Sequence, residues 1–420
     1  MLDRTVAPPF NRSTSFDLIE PRIEQTVAGG AMYFIVGGTQ EVCKIELLFP
    51  AGRWYETTPG ASYFTSQLLN KGTQHKDSFV IAELFDQYGA HLEVAPGMDA
   101  VSISLYSLNK FLEPSLQLLM ELLTSSTFPE KELTQLKAIF LQNMKVNREK
   151  TSYLASVHIR KNIFGDHHPY GRELADEDTL QLQPKILVDH YNAHFRNAIA
   201  LISGNVSAEH QQMIAQLLGP LQVYTVPTPS PAVATEASPG RQLVEKAGSV
   251  QASIRMGKKI IGRDHADYPD LLFLNHILGG YFGSRLMKNI REEKGLSYGI
   301  SSSLHTMAMD SYMVIGADVN SQQVGLTFEE IGKELAMLCS EPVGIEELET
   351  ARNHFIGSLQ LEITTPFDHA EKIKNILMYQ LPRDFYHRMV QRVDRLSAED
   401  LLRVAQCYFV PGSFVEVGVG

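Results

Sequence analysis

On either side of a proline-rich break the chain runs through one succession of elements twice, and a fold that must be built in duplicate has few solutions. The break is VPTPSPAVATEASPG, Val226 to Gly240, whose four prolines, small residues and hydroxyls carry neither helical nor strand periodicity. Before it stands TFPEKELTQLKAIFLQNMK, Thr127 to Lys145, and after it EPVGIEELETARNHFIGSLQ, Glu341 to Gln360. Each is a loop, a Glu-Leu pair and an amphipathic helix. The halves also close alike: DTLQLQPKILVDHYNAHF (Asp178 to Phe195) and DRLSAEDLLRVAQCYF (Asp394 to Phe409) each lead into an apolar strand, AIALISG or SFVEVGVG. Two similar units with a cleft between them are therefore expected. A chain of 420 residues is long enough for both. The expected division is residues 1–225, a linker at 226–248, and residues 249–420.

Inside each half, strands and helices are mixed without the regular βαβ alternation of a parallel sheet. In Val42 to Phe49, Cys43, Ile45, Leu47 and Phe49 fall on one face; Val101, Ile103 and Leu105 alternate with Ser102 and Ser104. Both read as half-buried antiparallel strands. Phe79 to Leu84 and Phe111 to Leu123 repeat apolar residues at three and four, as helices do. The fold class is α+β: two similar domains, each a mainly antiparallel sheet covered by helices on one face, closing as a clamshell.

Apolar residues make up 44% and charged residues 20% of the chain, enough to bury a core. The formal net charge of −11 argues against binding nucleic acid or an anionic membrane surface. Cys43, Cys339 and Cys407 lie far apart and outside any C-x-x-C spacing, which fits a reducing compartment. The amino-terminal MLDRTVAPPF has charge and proline where a secretory leader needs an apolar run, and nowhere do eighteen apolar residues follow one another. A cytoplasmic location is expected.

Three stretches in fixed order carry a specific resemblance: AGRWYETTPGASYFTSQLLNKGT (Ala51 to Thr73), HPYGREL (His168 to Leu174) and LGGYFGSRLMKNIREEKGLSYGI (Leu278 to Ile300). Across almost its whole length the chain resembles the pitrilysin superfamily of inverted zinc peptidases, in its two-domain branch with the mitochondrial processing peptidase and its bacterial relatives. Active relatives carry H-x-x-E-H on the first of these stretches, two imidazoles sharing a zinc beside a glutamate that activates water. The matching positions here are Tyr63, Ser66 and Gln67, and the family's third, carboxylate ligand falls on Asn143. Neutral amides and a phenol are poor zinc ligands, and serine cannot act as the general base. The resemblance therefore implies no zinc in this chain. His190 and His194, four apart, and the adjacent His167 and His168 form a rival set, but the sequence places no carboxylate beside them. His168 in HPYG resembles a structural loop of the family.

The family's second domain supplies an arginine and a tyrosine that hold the substrate carbonyl, and these match Arg291 and Tyr298. A plain alternative is that Arg291 sits on a solvated charged helix end with Glu292, Glu293 and Lys294. Some relatives are two-chain enzymes in which one subunit holds zinc and the other does not. This chain looks like the zinc-free partner: a noncatalytic subunit of a heterodimeric zinc peptidase, expected to bind peptide, to pair with a zinc-bearing homologous subunit and to lend Arg291 and Tyr298 to that partner's site. The chain in isolation could also pair with itself. The alternative is a peptide- or protein-binding scaffold of the same fold without hydrolysis. The short LGGYFGSRL lacks the long glycine-rich insertion of the mitochondrial zinc-free subunit, so that subunit's mode of presequence recognition does not carry over.

Overall fold

A computed structural model of the chain describes residues 14–223 and 239–420, so most of the break at Val226 to Gly240 lies outside the described residues. Two sheets, one per half, repeat a common strand order. From the outer edge inward, the first sheet runs His91–Pro96, Val101–Leu108, Val42–Phe49, Asn197–Gly204 and Ala31–Val36; the second runs Ser297–Thr306, Ser311–Asn320, Gln251–Lys259, Val415–Val419 and Gly240–Val244. Arg22–Gln25 and the short Gln222–Val223 extend the first sheet. Pairing is antiparallel throughout these five-strand sets except at the innermost pair of each, which is parallel in both. The duplication legible in the sequence is thus a duplication of topology, with Glu130–Arg148 and Ile345–Leu361 as equivalent helices.

One boundary moves. The strand Gly240–Val244 lies inside the 226–248 segment assigned to the linker, yet it pairs along its length with Val415–Val419. Its partner comes from the far end of the chain, so the local pattern GRQLV gave no sign of it.

Val42–Phe49 forms with the expected bounds, and Cys43, Ile45, Leu47 and Phe49 are fully buried against their own half's helices, among them Phe64, Leu116 and Leu119. The expectation of a half-buried strand is corrected, however. Lys44, Glu46 and Leu48, on the opposite face, are buried too. What covers them is the helix Pro366–Met378 from the second half: its Ala370 and Ile373 pack on Ile35, Leu48, Ile199 and Leu201. The first half returns the arrangement. Its helix Thr151–Phe164 crosses to the second sheet, where Ala155, Ile159, Ile163 and Phe164 meet Val415, Val417 and Val419. Each sheet therefore has its own helices on one face and a single helix of the other half on the second.

Charge accompanies the apolar contact. Lys44 Nζ lies 2.7 Å from Glu46 and 2.9 Å from Glu371, while Lys374 Nζ lies 2.9 Å from Glu46. The Ser102 hydroxyl donates a further hydrogen bond of 2.8 Å to Glu46. Burial would raise the Glu46 carboxyl, but Lys374 and Lys44 outweigh it and hold it at about 2. At the other end of the contact, the Tyr170 hydroxyl donates to the Asp99 carboxylate and accepts from the Met309 N–H at 3.3 Å. The other Asp99 oxygen accepts from Ala308 N–H at 2.9 Å, so the HPYG loop clasps the second half. No helix among the described residues is long and apolar enough to cross a membrane.

Removing one member of a buried ion network strands the others, at a cost of about 3–5 kcal/mol. Glu46→Gln should therefore lower the urea-unfolding free energy by roughly that amount; a loss below about 1 kcal/mol would give the network the weight of a surface pair. A carboxyl held below its ordinary value contributes stability that is complete above the unfolded-state value and fades as pH falls towards the folded-state one. The wild type should lose this increment between the ordinary value of 4.5 and about 2, and Glu46→Gln should show no such loss.

Candidate functional site

The helix Ala61–Leu68 starts at Gly60, whose φ of +87° suits glycine and whose Cβ, were there one, would press on Leu174 at 3.1 Å. Glu56 secures this start: one carboxylate oxygen accepts the Ser62 N–H at 3.0 Å, the other accepts Arg172 Nη2 at 2.8 Å. Burial raises the Glu56 carboxyl above its ordinary range, against the pull of the Gly60 N–H, Arg53 and Arg172. The sequence reading passed over Glu56, although a carboxylate a few residues before a helix start is a capping signal.

Along this helix the side chains are committed elsewhere. The Tyr63 ring packs against Phe64 at 5.3 Å and Phe140 at 5.2 Å. Ser66 is buried, and its hydroxyl donates back to the Ser62 carbonyl at 2.7 Å. Gln67 is partly exposed. Asn143 is exposed on Glu130–Arg148, one turn beyond Phe140, so the Tyr63–Phe140 contact brings its helix alongside. Tyr63, Glu56 and Phe140 border a cavity of about 280 Å³ that reaches Pro96 to Met98 at the end of the outer strand. The donors at the four motif positions are a phenol, a hydroxyl and two amides, and they do not fit a zinc ion. Among the described residues no group of three or more His, Cys, Asp and Glu side chains converges.

The rival histidines are engaged in packing. His190 is buried, with Nε2 3.0 Å from the Ala51 carbonyl oxygen, and burial pulls it down to about 4. His194 lies ring to ring with it at 4.7 Å. His168 stacks on Phe164 at 5.1 Å, and its Nδ1 accepts the Tyr170 N–H at 3.1 Å. His167 points to solvent.

In the second half the backbone departs from regular geometry where the Arg/Tyr pair sits. Met287–Glu293 is a wide-turned π-helix, closed where the Lys294 N–H reaches the Asn289 carbonyl at 2.9 Å. Such turns put an extra residue into a helix and often mark functional positions. After Gly295, the strand Ser297–Thr306 begins with a bulge: Ser297 opposes Val319, but Ile300 already opposes Ala317. The bulge throws the Tyr298 side chain outward, leaving it 90% exposed. Arg291 lies between two rings, its guanidinium carbon 5.0 Å from Tyr298 and 4.8 Å from Phe282, itself 62% exposed. The nearby Arg285 makes a two-pronged bond to Glu347 at 2.8 and 2.9 Å. Among the described residues no carboxylate pairs with Arg291, despite Glu292 and Glu293 beside it in sequence. The structure thus brings Arg291 and Tyr298 together and adds Phe282, which the sequence reading missed although it stands exposed between glycines in GGYFG.

The family profile described as "Insulinase (Peptidase family M16)" matches residues 36–178, and "Peptidase M16 inactive domain" matches residues 182–355. The chain belongs to this pitrilysin, or M16, peptidase superfamily. It is 27% identical over 312 residues to "Uncharacterized zinc protease YmxG" of Bacillus subtilis, covering 72% of this chain and 74% of the relative. It is 24% identical over 356 residues to "Non-peptidase homolog YmxG" of Helicobacter pylori, covering 81% and 80%. A crystal structure from Pseudomonas fluorescens described as a peptidase M16 inactive domain superimposes with a TM-score of 0.82 at 24% identity, covering 95% of this chain and 98% of that one.

Given these donors, the purified chain dialysed against micromolar zinc should hold well under one ion per chain by elemental analysis. One tightly bound zinc, lost on Gln67→Ala or Asn143→Ala, would contradict the assignment. Replacing the set with Tyr63→His, Ser66→Glu, Gln67→His and Asn143→Glu should create binding, provided the fold survives by circular dichroism.

Proposed function

We propose that this chain is a noncatalytic subunit that holds an extended peptide and lends Arg291 and Tyr298 to the active site of a zinc-bearing homologue. The observation that carries the reading is the state of Arg291: a guanidinium held between two exposed rings, with its donors unclaimed by any carboxylate among the described residues. The neighbouring Arg285, by contrast, is taken up by Glu347. An arginine kept in place by ring faces presents its N–H edge outward, and five donors in a fixed plane suit a carbonyl oxygen that gains negative charge in a transition state. The Tyr298 hydroxyl supplies one donor more.

The outer strands support peptide holding. His91–Pro96 and Ser297–Thr306 are the edges of their sheets, and an edge strand offers a row of backbone donors and acceptors to an extended chain. His91–Pro96 ends at the cavity beside Tyr63, so a peptide added there would run along the dismantled helix. The hydrolytic chemistry belongs to the partner, and zinc with it. A cytoplasmic site of action accords with the free thiols of Cys43, Cys339 and Cys407. A second reading, a scaffold that grips peptides without hydrolysis, is favoured by the likeness to the Helicobacter pylori non-peptidase homologue.

Mixing the chain with an intact H-x-x-E-H homologue from the same cell should produce peptidase activity that neither has alone at equal concentration. In the assembled pair, Arg291→Ala or Tyr298→Phe should raise the barrier by roughly 2.7–4 kcal/mol, the cost of one oxyanion donor. The effect should fall on kcat more than on KM, because the contact strengthens in the transition state. Full turnover by both variants in a complex intact by size-exclusion chromatography would reduce the pair to structural residues and favour the scaffold.

A further inference from the structure

The exchanged helices leave unlike surfaces beside them. In the first half, the charges on the covered face, Lys44, Glu46, Glu371 and Lys374, pair off among themselves. In the second half, Thr151–Phe164 covers Gln251–Lys259 and Val415–Val419, and the two outer strands beyond it carry glycine and serine on that face: Gly299, Ser301, Ser303 and Gly316. Their small side chains leave a pocket of about 400 Å³. Its charged walls are Arg160 from the crossing helix, Arg255 and Asp318 from the sheet, with His305 as the remaining titratable imidazole.

Two guanidiniums thus face one carboxylate, and that carboxylate is partly occupied, since Asp318 accepts a 2.5 Å hydrogen bond from the Ser253 hydroxyl. Arg255 lies flat over Gly316, where a Cβ would meet its Cδ and Nη1 at 3.2 Å, and Nη1 donates to the Ile254 carbonyl at 2.8 Å. Arg160 has no acid partner among the described residues; its guanidinium also hydrogen-bonds the Tyr312 hydroxyl, and its Nε is buried without a hydrogen-bond acceptor. A buried N–H left unpaired is costly and calls for an acceptor. His305 stacks on Tyr312 at 4.7 Å; burial, and then the charge of Arg160, keep it below its ordinary value and hence neutral near pH 7. The pocket therefore holds an uncompensated positive charge among serine hydroxyls, and its lining includes residues of the strand Ser297–Thr306 that carries Tyr298.

We infer that this pocket is a carboxylate-binding subsite, in which Arg160 and Arg255 take an acidic side chain or the C-terminal carboxylate of a peptide bound to the chain. The inference rests on the peptide-holding reading and gives it a specificity. Guanidinium fits a carboxylate with two parallel hydrogen bonds, and charge-assisted bonds out of bulk water are among the stronger polar contacts. Ser301 and Ser303 can donate to the oxygen lone pairs left over. A lysine-rich or neutral peptide finds no counterpart here.

The test uses the full chain and fluorescent unstructured peptides that share one neutral sequence. One carries an internal Glu, one carries Gln there, and each is made with a free or an amidated C-terminus. Fluorescence anisotropy at low salt should show the acidic forms binding about tenfold or more tighter, the worth of one charged hydrogen-bond pair. A gap that follows Glu against Gln identifies the side chain as the source; one that follows free acid against amide identifies the C-terminus. Arg160→Gln with Arg255→Gln, folded by circular dichroism, should bring acidic peptides to the neutral affinity and leave the neutral peptide's affinity unchanged, and Arg255→Lys should keep part of the preference. Equal affinity for acidic and neutral peptides, or a preference that survives the double substitution, overturns the subsite. If no peptide binds, the peptide-holding reading fails, and succinate alone decides the pocket by calorimetry: binding abolished by the double substitution supports it, and no binding by the wild type overturns it.

Discussion

The exchange of one helix between the halves is the constraint on which the remaining structure depends. Without Pro366–Met378, the first sheet would expose Ile35, Leu48, Ile199 and Leu201 together with a lysine and a glutamate that are 5% and 2% exposed in the assembled chain. Without Thr151–Phe164, the second would expose Val415, Val417 and Val419. Each buried aliphatic side chain is worth about 1.5–3 kcal/mol, so neither sheet can give up its borrowed helix lightly. The two halves are one folding unit even though each repeats the other's topology. The clasp of Asp99 and Tyr170 on the backbone of Ala308 and Met309 locks the contact from the opposite side.

Within that frame the motif helix of the first half and the Arg291/Tyr298 pair of the second are built differently. The helix that would hold metal has turned its side chains to packing: Tyr63 into an aromatic cluster, Ser66 onto its own backbone. Tyr298 is exposed and Arg291 is half-buried beside it, presented by a bulge and a π-turn, both of which interrupt regular backbone pairing.

Local periodicity and local repetition were legible in the sequence. Val42–Phe49 is bounded to the residue because Cys43, Ile45, Leu47 and Phe49 recur at every second position within it, and the equivalence of Glu130–Arg148 with Ile345–Leu361 follows from their shared pattern. What depended on distant chain was hidden. Lys44 and Glu46 fall on the polar side of the alternation, because the charges that meet them there, Glu371 for Lys44 and Lys374 for Glu46, lie 327 and 328 residues further along the chain. Gly240–Val244 read as linker for the same reason. At the candidate site, residue identity told that the zinc donors were missing and that Arg291 and Tyr298 were present, but not that Phe282 completes the cradle or that Arg160 and Arg255 face a pocket together. Those facts arise only when an irregular turn or an exchanged helix has brought the side chains into one place.

The central claim is that peptide lies against the second-half cradle when this chain works with its partner. Photo-crosslinking tests it most directly: an unstructured peptide with a photoreactive residue near its middle is irradiated with the assembled pair, and the labelled residues are located by mass spectrometry. The account predicts labels on this chain within Tyr281 to Tyr298, suppressed by excess unlabelled peptide. Labels confined to the partner, or scattered over this chain's outer helices and insensitive to competitor, would contradict it.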